Sequence, residues 1–231
     1  MHIGLIGGIG VAATVVYYQR LTAAADRLGV PLRLTISHGD IHSLIRNNLD
    51  DAREAQAAIF ADRLAGLKGA GCDCAALTSL GAHFCFDELK RRGVLPLVSG
   101  VAPLDDEFAA RGLRRVGLLG TQVVMETRLY GQLRRTEAVA LDAEAEALGR
   151  TYREIAVAGQ CDPDRRRVLQ DAGRRMVEDL GAEAIVLAGT DLNLAFDGTD
   201  PGYPVIDALD VHVALLARLA AGAVALSDVA A

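Results

Sequence analysis

Cys74-Ala-Ala-Leu-Thr-Ser-Leu-Gly-Ala-His-Phe-Cys-Phe-Asp87 reads as an apolar strand, a small polar turn and the start of a helix. The same pattern returns 110 positions later. Gly71-Cys-Asp-Cys-Ala-Ala-Leu-Thr-Ser79 aligns without a gap on Gly181-Ala-Glu-Ala-Ile-Val-Leu-Ala-Gly189. Each copy has a Gly, an acidic residue two places on, an apolar run of strand length, and small residues that open a helix. Two further echoes follow in the same order. Ile3-Gly-Leu-Ile-Gly7 matches Val116-Gly-Leu-Leu-Gly120, and Leu95-Pro-Leu-Val98 matches Tyr203-Pro-Val-Ile206. Ordered echoes of this kind indicate two copies of one α/β unit. Ser79 and Gly189 then stand at equivalent strand ends.

Working outward, strands and helices alternate along the chain. His2 to Ile6 is a short apolar strand, and Gly7 to Gly10 turns into a helix over Val11 to Arg27. Leu32 to Ser37 is the next strand. A polar loop, His38-Gly-Asp-Ile-His-Ser43, follows it, and Arg46 comes just after. Helices are expected over Asp51 to Lys68, Ala82 to Arg92, from Gln122, over Ala145 to Gly159 and from Asp162-Pro163, where Asp caps and Pro takes the first turn. Most of the strands are continuously apolar, the mark of a parallel sheet covered on both faces. The expected fold is α/β, with two pseudo-symmetric Rossmann-like units, each a parallel sheet flanked by helices. The first unit takes residues 1–98 together with a C-terminal helix in 207–231, and the second takes 99–206. In such sheets ligands sit beyond the carboxyl ends of the strands. That rule collects Gly7 to Gly10, His38 to His42, Ser79 to His83, Gly120-Thr121 and Gly189 to Asp191.

Composition narrows the function classes. At 231 residues and 51% hydrophobic, the chain can bury a sizeable core, yet no apolar run reaches membrane-spanning length. A net charge of −6 gives no electrostatic footing for nucleic acid. Met1 leads straight into a strand with no signal peptide, so the expected location is cytoplasmic, and Cys72, Cys74, Cys85 and Cys161 are expected to be reduced. Their spacing makes no zinc site.

Gly8-Ile-Gly-Val-Ala-Ala13 fits a dinucleotide fingerprint, but the second strand does not end on the acidic residue that fingerprint needs. Ser79 lacks the surroundings of a nucleophile elbow.

Ile3-Gly-Leu-Ile-Gly-Gly-Ile-Gly10, Gly81-Ala-His83 with Phe86-Asp-Glu-Leu89, Val116-Gly-Leu-Leu-Gly-Thr121, Met125-Glu126 and Gly189-Thr-Asp-Leu192 together resemble the aspartate/glutamate racemase superfamily, nearly end to end. The resemblance implies a site in the cleft between two units, a homodimer, a small amino acid or carboxylate as ligand, and no pyridoxal phosphate, metal or nucleotide. It also implies a cysteine on each of two facing loops. One thiolate takes the α-proton, and the opposite thiol returns one.

The sequence departs at those positions. The first motif resembles P-C-N-T-A-H, and here it reads Thr78-Ser-Leu-Gly-Ala-His83. The second resembles G-C-T-E, and here it reads Ala188-Gly-Thr-Asp191. Ser79 and Gly189 replace the cysteines, and Leu80 and Gly81 replace the Asn and Thr that help hold the substrate carboxylate. Thr190 persists. A serine hydroxyl is a far weaker acid than a thiol, and glycine transfers no proton.

The expected site is therefore Ser79, Gly189, His83 and Asp191 for catalysis. Gly8, Gly10, Leu80, Gly81, Thr190, Arg46 and Thr121 are expected to bind substrate, with no metal. Three readings stand: a one-sided proton-transfer enzyme, such as a decarboxylase, lyase or isomerase, using Asp191, His83 or Ser79; a racemase-like isomerase of atypical or weak activity whose acid and base come from elsewhere, from His38, Asp40 or His42; and a non-catalytic carboxylate-binding protein. Each residue also has a plainer reading: His83 as orienting its helix, Asp191 as an N-cap, and the His38 to His42 loop as bonding to itself.

Overall fold

In the computed structural model, which describes residues 1–230, the apolar runs form two separate four-stranded sheets. The elements in order are β1 (His2–Gly7), α1 (Val11–Arg27), β2 (Arg33–His38), α2 (Ile41–Leu49), α3 (Arg53–Gly69), β3 (Cys74–Leu77), α4 (Phe86–Arg91) and β4 (Leu97–Val98). They continue with α5 (Leu104–Ala110), β5 (Arg115–Leu119), α6 (Gln122–Glu126), β6 (Glu137–Val139), α7 (Ala145–Ala158), α8 (Pro163–Leu180), β7 (Ala184–Leu187), α9 (Asn193–Phe196), β8 (Val205–Asp207), α10 (Ala208–Ala220) and α11 (Leu226–Val229). Contacts divide the chain into a first unit, 1–100 with 212–231, and a second, 101–211. The division falls inside α10.

The first unit has strand order β2-β1-β3-β4, all parallel. Ile3 to Ile6 of β1 pair with Cys74 to Leu77 of β3. Ile3, Leu5, Tyr17, Leu21, Leu64 and Leu67 are fully enclosed between sheet and helices. Each such aliphatic side chain contributes roughly 1.5–3 kcal/mol relative to exposure. Gly8 adopts φ 137°, and a Cβ there would lie 2.4 Å from the carbonyl oxygen of Gly39, so only glycine fits this turn. From α10, His212 Nδ1 meets the Tyr17 hydroxyl at 2.8 Å, and Val98 bridges to Ala230.

The second unit repeats the plan as β6-β5-β7-β8, again all parallel. Val116 to Leu119 of β5 pair with Ala184 to Leu187 of β7, matching the β1–β3 register strand for strand. Phe108, Val116, Ile155, Met176 and Ile185 fill its core. Asp162 caps α8 by accepting the Arg165 N–H at 2.8 Å, with Pro163 in the first turn. Asp105 accepts the backbone N–H groups of Arg134, Arg135 and Thr136 and ties down the connection into β6.

Two local expectations are corrected. The polar stretch His38 to Ser43 is not a loop throughout. Asp40 accepts the Ser43 N–H at 2.8 Å and caps α2, because Ile41, Leu44 and Ile45 give the following residues an apolar helical face. The helix expected over Ala82 to Arg92 is a 3-10 turn, Gly81–Cys85, followed by α4, with the break at Cys85. The helix expected from Gln122 is there as α6 and ends at Glu126, before a left-handed run at Arg128, Leu129 and Tyr130.

Candidate functional site

Ser79 and Gly189 each sit two residues beyond the end of a central strand, β3 and β7, at matching places in matching sheets. In a parallel α/β sheet the turn at this point leaves the strand and opens the next helix. Ser79 is buried at 3% exposure, and its Oγ meets no hydrogen-bond partner among the described residues. A hydroxyl shut away without a partner is a costly arrangement, so such a group calls for an explanation.

His83 is close by but fully engaged. Its Nε2 accepts the Gly100 N–H at 3.0 Å, which puts the ring proton on Nδ1, where it is donated to the Ser79 carbonyl at 3.1 Å. The ring stacks on Phe86 at 4.9 Å. Burial pushes its pKa down to about 4. His83 thus has no free nitrogen in this arrangement; it ties the Ser79 turn to Gly100. Asn48 on α2 adds a second tie, donating to the Gly81 carbonyl at 3.0 Å.

In the second unit Asp191 is 0% exposed and accepts the Tyr152 hydroxyl at 3.3 Å. Tyr152, on α7, is buried, and burial followed by the neighbouring carboxylate raises its pKa well above the ordinary value. Its ring lies where a side chain on residue 189 would have to go. A Cβ there would stand 2.4 Å from Cε2, far inside contact distance. Tyr152 is a residue that the sequence alone did not point to. Its only signal is a tyrosine on the apolar face of a helix, which reads as ordinary core. Asn193, which the echo aligns with His83, is also buried, and its Oδ1 meets no partner among the described residues.

The remaining expected residues fall as follows. Gly8 and Gly10 form the turn after β1, with Gly10 at φ 81°. Leu80, Gly81 and Thr190 are buried in the turns beyond β3 and β7. Thr121 caps α6, its Oγ1 accepting the Val124 N–H. Arg46 lies exposed on α2, as does His42, and His38 is exposed at the end of β2. Asp40 is committed to its cap, and the Ser43 N–H bond lowers its pKa. Among the described residues, His38, Asp40 and His42 form no group that could hold a metal ion.

The cysteines stand apart from both turns. Cys72, Cys74 and Cys85 are buried, and Cys161 is half-buried. Burial pushes the Cys85 thiol up to about 12 and the Cys74 thiol up to about 11. None has the lowered pKa of a reactive thiolate. Among the described residues no cluster of three His, Cys, Asp or Glu could hold a metal ion, and no helix is long and apolar enough to cross a membrane.

A family model described as Asp/Glu/hydantoin racemase matches residues 6–216. Among solved structures, a candidate Asp/Glu racemase from Yersinia pestis aligns with TM-score 0.79 at 24% identity, over 96% of this chain and 100% of that one. An aspartate racemase homologue from Pyrococcus horikoshii OT3 aligns with TM-score 0.75 at 26% identity, over 95% and 99%. An aspartate racemase from Picrophilus torridus aligns with TM-score 0.71 at 20% identity, over 96% and 95%. The likeness to the Yersinia and Picrophilus proteins is one of fold.

Proposed function

The chain belongs to the Asp/Glu/hydantoin racemase family, and on that premise we propose a racemase-like isomerase of atypical, weak activity that moves a proton at the α-carbon of a small amino or carboxylic acid. The observation that carries the reading is the pair of matched turns with no thiol in either. Ser79 and Gly189 occupy equivalent places, and every cysteine lies elsewhere. In this proposal the Asp191 carboxylate accepts the α-proton. The electron pair left on carbon delocalises into the substrate carboxylate, and the proton returns from Asp191 or from water. Asp191 suits the part as the one carboxylate in the two turns. Ser79 supplies a hydroxyl to the bound ligand, which would give its buried Oγ a partner. His83 and Asn48 hold that turn in shape and transfer no proton.

Gly8, Gly10, Leu80, Gly81, Thr121 and Thr190 belong to the same proposal as ligand-contacting positions, with Arg46 as a carboxylate partner. So do a cytoplasmic location, a homodimer, and independence from pyridoxal phosphate, metal or nucleotide. Val11, Val15 and Tyr18, half-exposed at successive turns of α1, support a dimer that covers them.

One observation favours a second reading. Neither turn offers a free titratable group matched to neutral pH, since His83 is locked and the thiols are absent. That combination suits a carboxylate-binding protein without catalysis. Incubation of L- and D-aspartate and glutamate in heavy water, read by proton NMR, separates the two. α-Hydrogen exchange supports the isomerase, and tight binding by calorimetry without exchange supports the binder.

A further inference from the structure

Across the second unit the missing side chain at 189 and the tyrosine beside it are one arrangement. An added Cβ on Gly189 would lie 2.4, 2.8 and 2.9 Å from Cε2, Cζ and Cδ2 of Tyr152. These are ring atoms, fixed by a side chain only 1% exposed, so they cannot swing aside as the tip of a lysine would. The hydroxyl of the same ring is spent on Asp191 at 3.3 Å. In the first unit the helix at the corresponding place, α2, also reaches the turn. There the contact is Asn48 Nδ2 to the Gly81 carbonyl, and the echo aligns Gly81 with Asp191. Both units thus tie the turn beyond the third strand to the helix that follows the second strand, α2 or α7. Only in the second does the tie fill the space of the missing side chain.

We propose that Tyr152 closes position 189: it is a positioning residue whose ring takes the volume a side chain there would need, and whose hydroxyl holds Asp191 in place. The first part stands on packing alone. The second rests on the proton-transfer reading given above. It follows that a cysteine cannot simply be put back at 189. The glycine at 189 and the tyrosine at 152 are coupled, and adding a side chain at 189 without removing the ring damages the fold.

A double-mutant cycle tests the closure. Gly189→Cys, and the milder Gly189→Ala that adds only Cβ, are measured by thermal unfolding with Tyr152 intact and again with Tyr152→Ala. With Tyr152 intact, each substitution lowers Tm by several degrees. With Tyr152→Ala, the same substitutions leave Tm unchanged or raise it, because they refill an emptied space. Equal Tm shifts in both backgrounds, or a neutral Gly189→Ala in the intact protein, overturn the closure.

The holding role is read separately in Tyr152→Phe, which keeps the ring and removes the hydroxyl. It lowers the kcat of α-hydrogen exchange at least tenfold with KM changed less than twofold, and it adds nothing to the loss in Asp191→Asn. Wild-type kcat in Tyr152→Phe overturns that role. If the wild type exchanges no α-hydrogen, the proton-transfer reading fails and takes the holding role with it, while the closure is decided by the Tm cycle.

Discussion

Acidification should loosen the first unit well before its carboxylates titrate. His83 is buried with both nitrogens bonded to the backbone, Nε2 as acceptor and Nδ1 as donor, and burial holds its pKa down at about 4 against the ordinary 6.5. Because the folded value lies below the unfolded one, the unfolded chain binds more protons between these limits. The neutral histidine therefore contributes stability that is fully present above about pH 6.5 and is lost as the pH falls toward 4. Evaluating that linkage at pH 5 gives a loss of about 2 kcal/mol from His83 alone, to within a factor of two. His212 adds to the same trend. Burial, with the nearby His83, pushes it down to about 3, and its Nδ1 faces the Tyr17 hydroxyl. The depressed carboxylate of the first unit, Asp40, held down by the Ser43 N–H, gives up its contribution only as the pH falls below the ordinary 3.8, so the two windows separate. The assay is unfolding in urea at pH 7, 6 and 5, with amide exchange at Gly100 as a local probe. His83→Asn should be less stable at pH 7 and should lose less on going to pH 5. An imidazole resonance of His83 that titrates near 6.5, or equal stability at pH 7 and 5, would refute the reasoning.

Other outcomes follow from the same geometry. Native alkylation should reach Cys161 first, since the other three thiols are buried, and it should leave ligand binding and exchange unchanged; loss of activity on alkylation, read by mass spectrometry alongside the exchange assay, would count against a thiol-free mechanism. Asp105→Ala should destabilise the second unit by about 2–3 kcal/mol, because three backbone N–H groups lose their acceptor, as thermal unfolding would reveal. Ser79→Cys combined with Gly189→Cys should fail to gain racemisation while Tyr152 remains, as chiral chromatography would report.

Much of the fold is written locally. The alternation of apolar runs with capped helices and the three ordered echoes foreshadow the matched strand orders β2-β1-β3-β4 and β6-β5-β7-β8. Asp162-Pro163 marks the start of α8 because a cap and a fixed φ act within one turn. The cap at Asp40 was equally local. The polar residues around it hide a helical face that Ile41, Leu44 and Ile45 spell.

The site was less legible, for a physical reason. Burial and tertiary bonding decide what a side chain can do, and neither is local. His83 reads as an acid–base candidate until Gly100, 17 residues on, is seen to occupy Nε2. Tyr152 reads as core until Gly189 and Asp191 are seen against it.

The central claim is proton transfer at an α-carbon without thiols. It is tested most directly by following the α-proton signal of L-aspartate and L-glutamate in heavy water at pH 7, with wild-type protein and with Asp191→Asn. The account predicts slow loss of the signal with little inversion in the wild type, and none in Asp191→Asn. Rapid inversion to the D-isomer, or exchange that survives in Asp191→Asn, would contradict it.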